Sequence, residues 1–163
     1  MNNIKIGIDC LILRENGSGI SRYIHEVTYA MAKYNCTIVV YYQDRKSIKF
    51  FNEFNNIIYR RCPFKSKLLR IIWFQTFLPF YIKQDNLDVF WGPAHRIPFF
   101  ISKKIKTIVT IHDLVWAKAG YTMKKLNYLL EKFCMPFALY RSDLIITISN
   151  STAQDIVEKY PKL

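Results

Sequence analysis

A chain of 163 residues is enough for one well-buried domain and short of two ordinary ones. With 51% hydrophobic and 16% aromatic residues, the composition excludes a disordered tail, a collagen-like chain and a coiled coil. The 24 lysines and arginines stand against 12 acids, a formal net charge of +12, which favours anionic partners: nucleic acid, acidic lipid headgroups or phosphorylated small molecules.

Ile4 to Asp9 reads as a first strand; the start, Met1 to Ile6, alternates and shows no basic segment followed by an apolar core, hence no signal peptide. A polar loop, Arg14 to Gly19, precedes a change of period from two to 3.6, and Ile20, Tyr23, Ile24, Val27, Met31 and Tyr34 predict a helix. His25 falls on its polar face and is expected to be exposed. Thr37 to Tyr42 is a continuous β-branched and aromatic run, expected as a buried strand, and Asn56 to Arg60 is a shorter one. Lys67 to Lys83 predicts a helix kinked or broken at Pro79. Leu87 to Trp91 is a strand ended by Gly92 and Pro93.

The loop Ala94 to Pro98 then leads to a β-branched strand, Lys106 to Ile111, which delivers His112 and Asp113 at its carboxyl end. Met123 to Arg141 predicts a helix kinked at Pro136. Leu144 to Ile148 is the last strand; Ser151-Thr152-Ala153-Gln154 reads as a capping box opening a final helix, closed by Pro161. Strands alternating with helices argue for an α/β, Rossmann-like, doubly wound parallel sheet.

Between Glu53 and Asp85 there is no acid, while Arg60, Arg61, Lys65, Lys67, Arg70 and Lys83 lie among apolar and aromatic residues. Such a mixture suits a helix on an anionic membrane surface, or equally a helix buried against the sheet with a solvated basic flank; the second reading ranks slightly ahead. Gln75, Thr76 and Pro79 interrupt the run too often for it to span a bilayer. Cys10, Cys36, Cys62 and Cys134 are far apart and form no C-x-x-C, so they are expected as free, mostly buried thiols with no metal site. Together these features place the chain in a reducing cytoplasm, with the inner face of the membrane as a peripheral station.

Ligands of parallel α/β sheets bind at the carboxyl ends of the strands. Gly17-Ser18-Gly19 lies between the first strand and first helix, where backbone amides and the helix dipole receive phosphate, although a flexible loop uses the same residues. No G-x-G-x-x-G is present, so NAD binding is not expected. His95 follows a strand and is read equally as a ligand contact or as a surface histidine in a proline-rich turn. His112 could handle a proton near neutral pH, with Asp113 beside it. Ser149 has helix capping as its first duty and a hydrogen bond to ligand as its second. In a parallel sheet these loops would converge on one crevice.

Taken in order and spacing, Gly17-Ser18-Gly19-Ile20-Ser21-Arg22-Tyr23, Trp91-Gly92-Pro93-Ala94-His95, Thr110-Ile111-His112-Asp113-Leu114 and the run from Ser142 to Thr152 resemble a known family. It is the amino-terminal domain of family 4 retaining glycosyltransferases, most closely the mannosyltransferase-like members that assemble bacterial surface polysaccharides. The resemblance covers nearly the whole chain. It implies one half of a GT-B enzyme, the acceptor side of a cleft between two Rossmann-like domains. Its substrates would be a nucleotide-sugar donor and a glycan or glycolipid acceptor, with no cofactor. Gly17, Ser18 and Gly19 would approach the donor phosphate, assisted by Arg22, and His112 would lie near the reacting sugar carbon with Asp113 positioning its loop. The leaving diphosphate would be stabilised by positive charge and backbone donors, without a metal. The family's glycine at position 21 is Ser21 here.

The family's donor-binding domain, with its E-x7-E pattern, has no counterpart in residues 1–163. The resemblance therefore implies a chain that does not transfer sugar unaided: either one truncated as supplied, or one that works with a separate donor-binding chain or by self-association. The competing reading is a noncatalytic peripheral-membrane or partner-binding module using residues 60–83. Nucleic acid ranks below both, because no binding motif accompanies the charge.

Overall fold

The computed structural model describes residues 3–163; Met1 and Asn2, read above with the first strand's alternation, lie outside the described residues. The chain divides into two compact units, Met1–Trp91 with Pro98–Lys106, and Gly92–Ile97 with Thr107–Leu163.

In the first unit, β1 (Ile4–Cys10) lies between β2 (Cys36–Tyr42) and β4 (Val89–Gly92), and β3 (Ile57–Arg61) lies outside β2, giving the order β3-β2-β1-β4. Every one of these pairings is parallel, with Ile8 beside Val40 on one side and Trp91 on the other. The chain winds outward from β1 to β3 and then returns across to β4, so β1 and β4 flank a topological switch point, as in Rossmann-like folds. β1 and β2 are fully buried along their later residues because helices cover a parallel sheet; Ile8, Cys10, Val39, Val40 and Tyr41 have no exposed surface. Helix α1 (Gly19–Ala32) forms where the period predicts a helix, but it buries Ser21, Ile24, Thr28 and Ala32: of the apolar series only Ile24 is fully inward, and Tyr34 lies beyond the helix end, 74% exposed.

The helix expected over Lys67 to Lys83 is two helices, α2 (Lys67–Thr76) and α3 (Leu78–Gln84), meeting at Phe77. Pro79 is the cause. Its ring clashes with a carbonyl one turn back in a continuous helix but is tolerated in a first turn, where α3 places it. A short 3-10 turn, Lys46–Phe51, has no counterpart in the sequence reading; its Phe51 is fully buried.

In the second unit, β5 (Lys106–Ile111) pairs parallel with β6 (Leu144–Thr147). Between them run the single turn α4 (Val115–Lys118) and α5 (Lys125–Arg141), which continues through Pro136; α6 (Asn150–Lys159) follows. Asp143 locks the start of the pair: its Oδ2 accepts from the Thr107 amide at 2.8 Å, and its own amide donates to the Thr107 carbonyl at 2.8 Å. Val109, Ile111, Leu114, Met135, Ala138 and Leu139 form the core.

Helix α6 is capped by Ser149, the first duty read for that residue, and not by the box at Ser151. The helix begins at Asn150, and the Ser149 Oγ accepts from the Thr152 amide at 3.1 Å; the proposed box at Ser151 already lies in the first turn. All the cysteines are free thiols, Cys10, Cys62 and Cys134 buried and Cys36 half-buried. Burial raises their pKa values, which makes them poor nucleophiles.

Candidate functional site

The glycine loop belongs to the first unit. Gly17, Ser18 and Gly19 are all exposed, and α1 starts at Gly19 with Ser18 as an N-cap whose side chain makes no capping bond. The first intrahelical bond is from the Arg22 amide to the Ser18 carbonyl at 3.1 Å, so the amides before it have no partner within the helix and lie at the positive end of its dipole. No acid occupies this first turn. Arg22 is exposed and, with Arg14, Gly17, Ser21, His25 and Phe50, lines a pocket of about 260 Å³.

Ser21 has a function the sequence did not show. It is 3% exposed, and its Oγ accepts from the Arg14 amide at 2.9 Å and donates to the Arg14 carbonyl at 3.1 Å, closing the loop on itself. A Cβ on Gly17 would stand 2.3 Å from both Cβ and Oγ of Ser21, so glycine at 17 makes room for the serine. Gly19 has nothing within 4 Å of a notional Cβ, so packing does not demand glycine there. The Ser21 hydroxyl is thus spent inside the loop on the Arg14 backbone.

His25 is not the exposed residue expected. It is half-buried, stacked on Phe51 at 5.5 Å and meeting Phe50 edge-on at 5.0 Å, and its Nε2 is buried with no hydrogen-bond partner. The rings that cover it come from the unforeseen turn at Lys46–Phe51.

The second unit builds a cluster around His112, which is 7% exposed at the carboxyl end of β5. Its ring Nε2 lies 2.8 Å from the Pro93 carbonyl, and its backbone amide donates to Nε2 of His95 at 2.9 Å. A carbonyl only accepts, so the His112 proton sits on Nε2 and the lone pair on Nδ1. By the same reasoning His95 accepts at Nε2 and carries its proton on Nδ1, 2.9 Å from Oε2 of Glu131. Both ring nitrogens of His95 are therefore committed within the protein, and the residue holds the His112 backbone. His95 adopts a left-handed conformation, φ 64°, in a turn so tight that a Cβ on Gly92 would lie 2.0 Å from the Arg96 carbonyl oxygen.

The His112 carbonyl accepts from Oγ1 of Thr152 at 3.0 Å, and that oxygen lies 3.0 Å from Oγ of Ser149. Since the Thr152 proton is used on His112, the Ser149 hydroxyl donates to Thr152 while capping α6. Ser149 is thereby coupled to His112 through one residue. Asp113 is exposed, and its Oδ1 accepts from the Val115 amide at 3.1 Å, fixing the turn into α4.

Burial lowers the His112 pKa below its ordinary value; His95 adds to the fall, whereas the bond to the Pro93 carbonyl and the charges of Asp113 and Glu131 oppose it. A histidine that stays neutral when folded presents a lone pair rather than a charge at neutral pH. Between the unfolded value, about 6.5, and the lower folded one, the unfolded chain binds a proton that the folded chain does not. Stability is therefore expected to fall as pH drops through that window and to level off once folded His112 protonates. Urea melts between about pH 7.5 and 5 check this, with His112→Gln expected to flatten the slope.

Glu131 and Thr152 carried no signal in the sequence, since each acts across 36 or 40 residues of chain. Asp9 did carry one that went unread. It lies near the carboxyl end of the apolar strand β1, is fully buried, and its Oδ1 accepts from the Leu11 amide at 3.0 Å.

No curated relative matches the chain. The model of Glycosyltransferase Family 4 matches residues 17–162, from the first residue of the glycine loop to the penultimate residue of the chain, and with the parallel α/β architecture this shows that the chain belongs to glycosyltransferase family 4.

Proposed function

We propose that this chain is the acceptor-side half of a retaining, mannosyltransferase-like glycosyltransferase that moves sugar from a nucleotide-sugar donor to a growing polysaccharide or lipid-linked acceptor. Family membership over residues 17–162 carries the reading. Sugar transfer requires a donor and an acceptor. The first-turn amides of α1, which lack intrahelical partners, and the exposed Arg22 guanidinium suit a leaving diphosphate, because fixed dipoles and positive charge stabilise the negative charge that develops as the glycosidic bond breaks. His112 offers a neutral ring of fixed tautomer to the reacting sugar.

Donor binding is assigned to a second domain or chain carrying the E-x7-E pattern. Ile148 and Val157, 55% and 67% exposed, supply apolar surface for such a partner or for a second copy. The setting is cytoplasmic, at the inner face of the membrane; among the described residues no helix is long and apolar enough to cross it.

The test begins with the DNA downstream of the Leu163 codon. A frame bearing the E-x7-E pattern is expected there, and its product combined with this chain should transfer label from a nucleotide-sugar panel to glycan or lipid-linked acceptors. His112→Asn should lower kcat by roughly a hundredfold or more. Absence of both the frame and any transfer would leave a binding module in place of an enzyme.

A further inference from the structure

We propose that the first unit docks on an anionic lipid bilayer through the outer face of α2 and the adjoining Phe99-Phe100 turn. The proposal rests on the membrane placement above and adds the surface and the lipid class. Helix α2 has apolar residues on both sides. Trp73 and Phe74 face the core, while Leu68, Leu69 and Ile72 are 57%, 43% and 45% exposed on the side where a solvated helix carries polar residues. Gln75 on the same helix accepts from the Phe99 amide at 2.9 Å, which pins the turn beside α2 and leaves Phe100 76% exposed.

Cations border this apolar surface in sequence. Lys65 and Lys67 precede the α2 residues, Lys103 and Lys104 follow the turn, and all are exposed. No acid occurs between Glu53 and Asp85, or between Asp88 and Asp113. Apolar side chains that enter the acyl boundary, flanked by ammonium groups at phosphate level, match the two layers of an anionic membrane surface. A second copy of the chain would set cations against cations at a net charge of +12 each. A nucleic acid would satisfy the lysines but leave the apolar side chains in water.

Cosedimentation with phosphatidylcholine vesicles, with and without phosphatidylglycerol, tests the proposal. Binding is expected to require phosphatidylglycerol. Lys103→Gln with Lys104→Gln should weaken it roughly twentyfold, about fivefold per charge, and Phe99→Ser with Phe100→Ser about tenfold or more. Lys124→Gln with Lys125→Gln, a control in the other unit, should change it by about twofold at most. The lysines and Phe100 are well exposed, so their variants are expected to keep the wild-type melting temperature; Phe99 is only 38% exposed, so Phe100→Ser alone, expected to weaken binding with an unchanged melting temperature, is the folding check on the double variant. Equal binding to neutral vesicles, no binding, or loss as large in the control would overturn the proposal. So would displacement by single-stranded nucleic acid with no effect of the phenylalanine changes, or a dimer abolished by those changes in a chain that ignores vesicles. Transfer to a soluble acceptor by the same variants should be unaltered, which separates failure of docking from failure of the transferase reading.

Discussion

Replacing His95 by alanine is expected to destabilise the chain by about 2–4 kcal/mol, a large share of what holds a domain of this size together. Two effects add. The substitution strips the His112 amide of its acceptor in a site where His112 is 7% exposed, and it places a Cβ-bearing residue with no local hydrogen bond at φ 64°. Glycine at the same position keeps the backbone and loses only the acceptor, so His95→Gly should fall about 1 kcal/mol short of the alanine loss. Glu131→Ala should cost less, about 1–2 kcal/mol, but change the ring itself, because His95 no longer has a carboxylate holding its proton on Nδ1. Glu131→Gln, whose amide oxygen accepts the same bond, should restore the wild-type state.

Long-range nitrogen–proton spectra of the two imidazoles, with exchange protection of the His112 amide, read this directly. The wild type should show His95 protonated at Nδ1 and His112 at Nε2; Glu131→Ala should mix the His95 tautomers and speed exchange of that amide. An unchanged tautomer and unchanged exchange would show that Glu131 and His95 do not position His112.

The second large effect is expected in the first unit, at Asp85. Only 6% exposed at the end of α3, Asp85 accepts from the Tyr41 hydroxyl at 2.9 Å and from Nε of Arg60 at 3.0 Å, with Nη2 of Arg60 also donating. Its carbonyl takes the Lys5 ammonium at 3.0 Å. Burial first, and then the Asp85 carboxylate, push the Tyr41 pKa far up, so the phenol remains a donor. Asp85→Ala leaves that hydroxyl buried without its acceptor and the guanidinium without its counter-charge, at about 2–4 kcal/mol. The Arg60 side chain is 40% exposed, so water takes over part of its solvation and holds the cost below that of a fully buried pair. Asp85→Asn should lose about half as much, because the amide oxygen still serves Tyr41. Urea midpoints of both variants, with Tyr41→Phe completing a double-mutant cycle, measure it. A coupling between Asp85 and Tyr41 near zero would reduce the cluster to a surface ion pair.

Strand and helix order was legible because its signals are local. The buried run at Thr37–Tyr42 and the existence of α1 follow from side-chain period alone, whereas the buried face of α1, Ser21, Ile24, Thr28 and Ala32, shares only Ile24 with the apolar series, because packing on the sheet chooses small residues for close approach. Pro79 announced a break, although only the structure shows two helices with the proline inside the second one's first turn. The turn at Lys46–Phe51 was illegible since its reason is tertiary: Phe51 fills the core and covers His25. Residue type offers both Ser149 and Ser151 as caps of α6, since serine suits either position, and backbone conformation chooses Ser149.

At the candidate site the same division holds. Residue type and spacing alone singled out Gly17 to Gly19, His95, His112 and Ser149, and set the parallel α/β class, since glycine, histidine and serine at strand ends are recognisable wherever periodicity marks the strands. Only the tertiary structure decided what each does. His95 turns both nitrogens inward to Glu131 and the His112 amide, Pro93 sets the His112 tautomer, Thr152 ties Ser149 to the His112 carbonyl, and Ser21 fills the space that Gly17 leaves. These assignments rest on hydrogen bonds whose partners are up to 40 residues apart, and a bond of that reach is determined by how the chain packs, to which local residue patterns are blind.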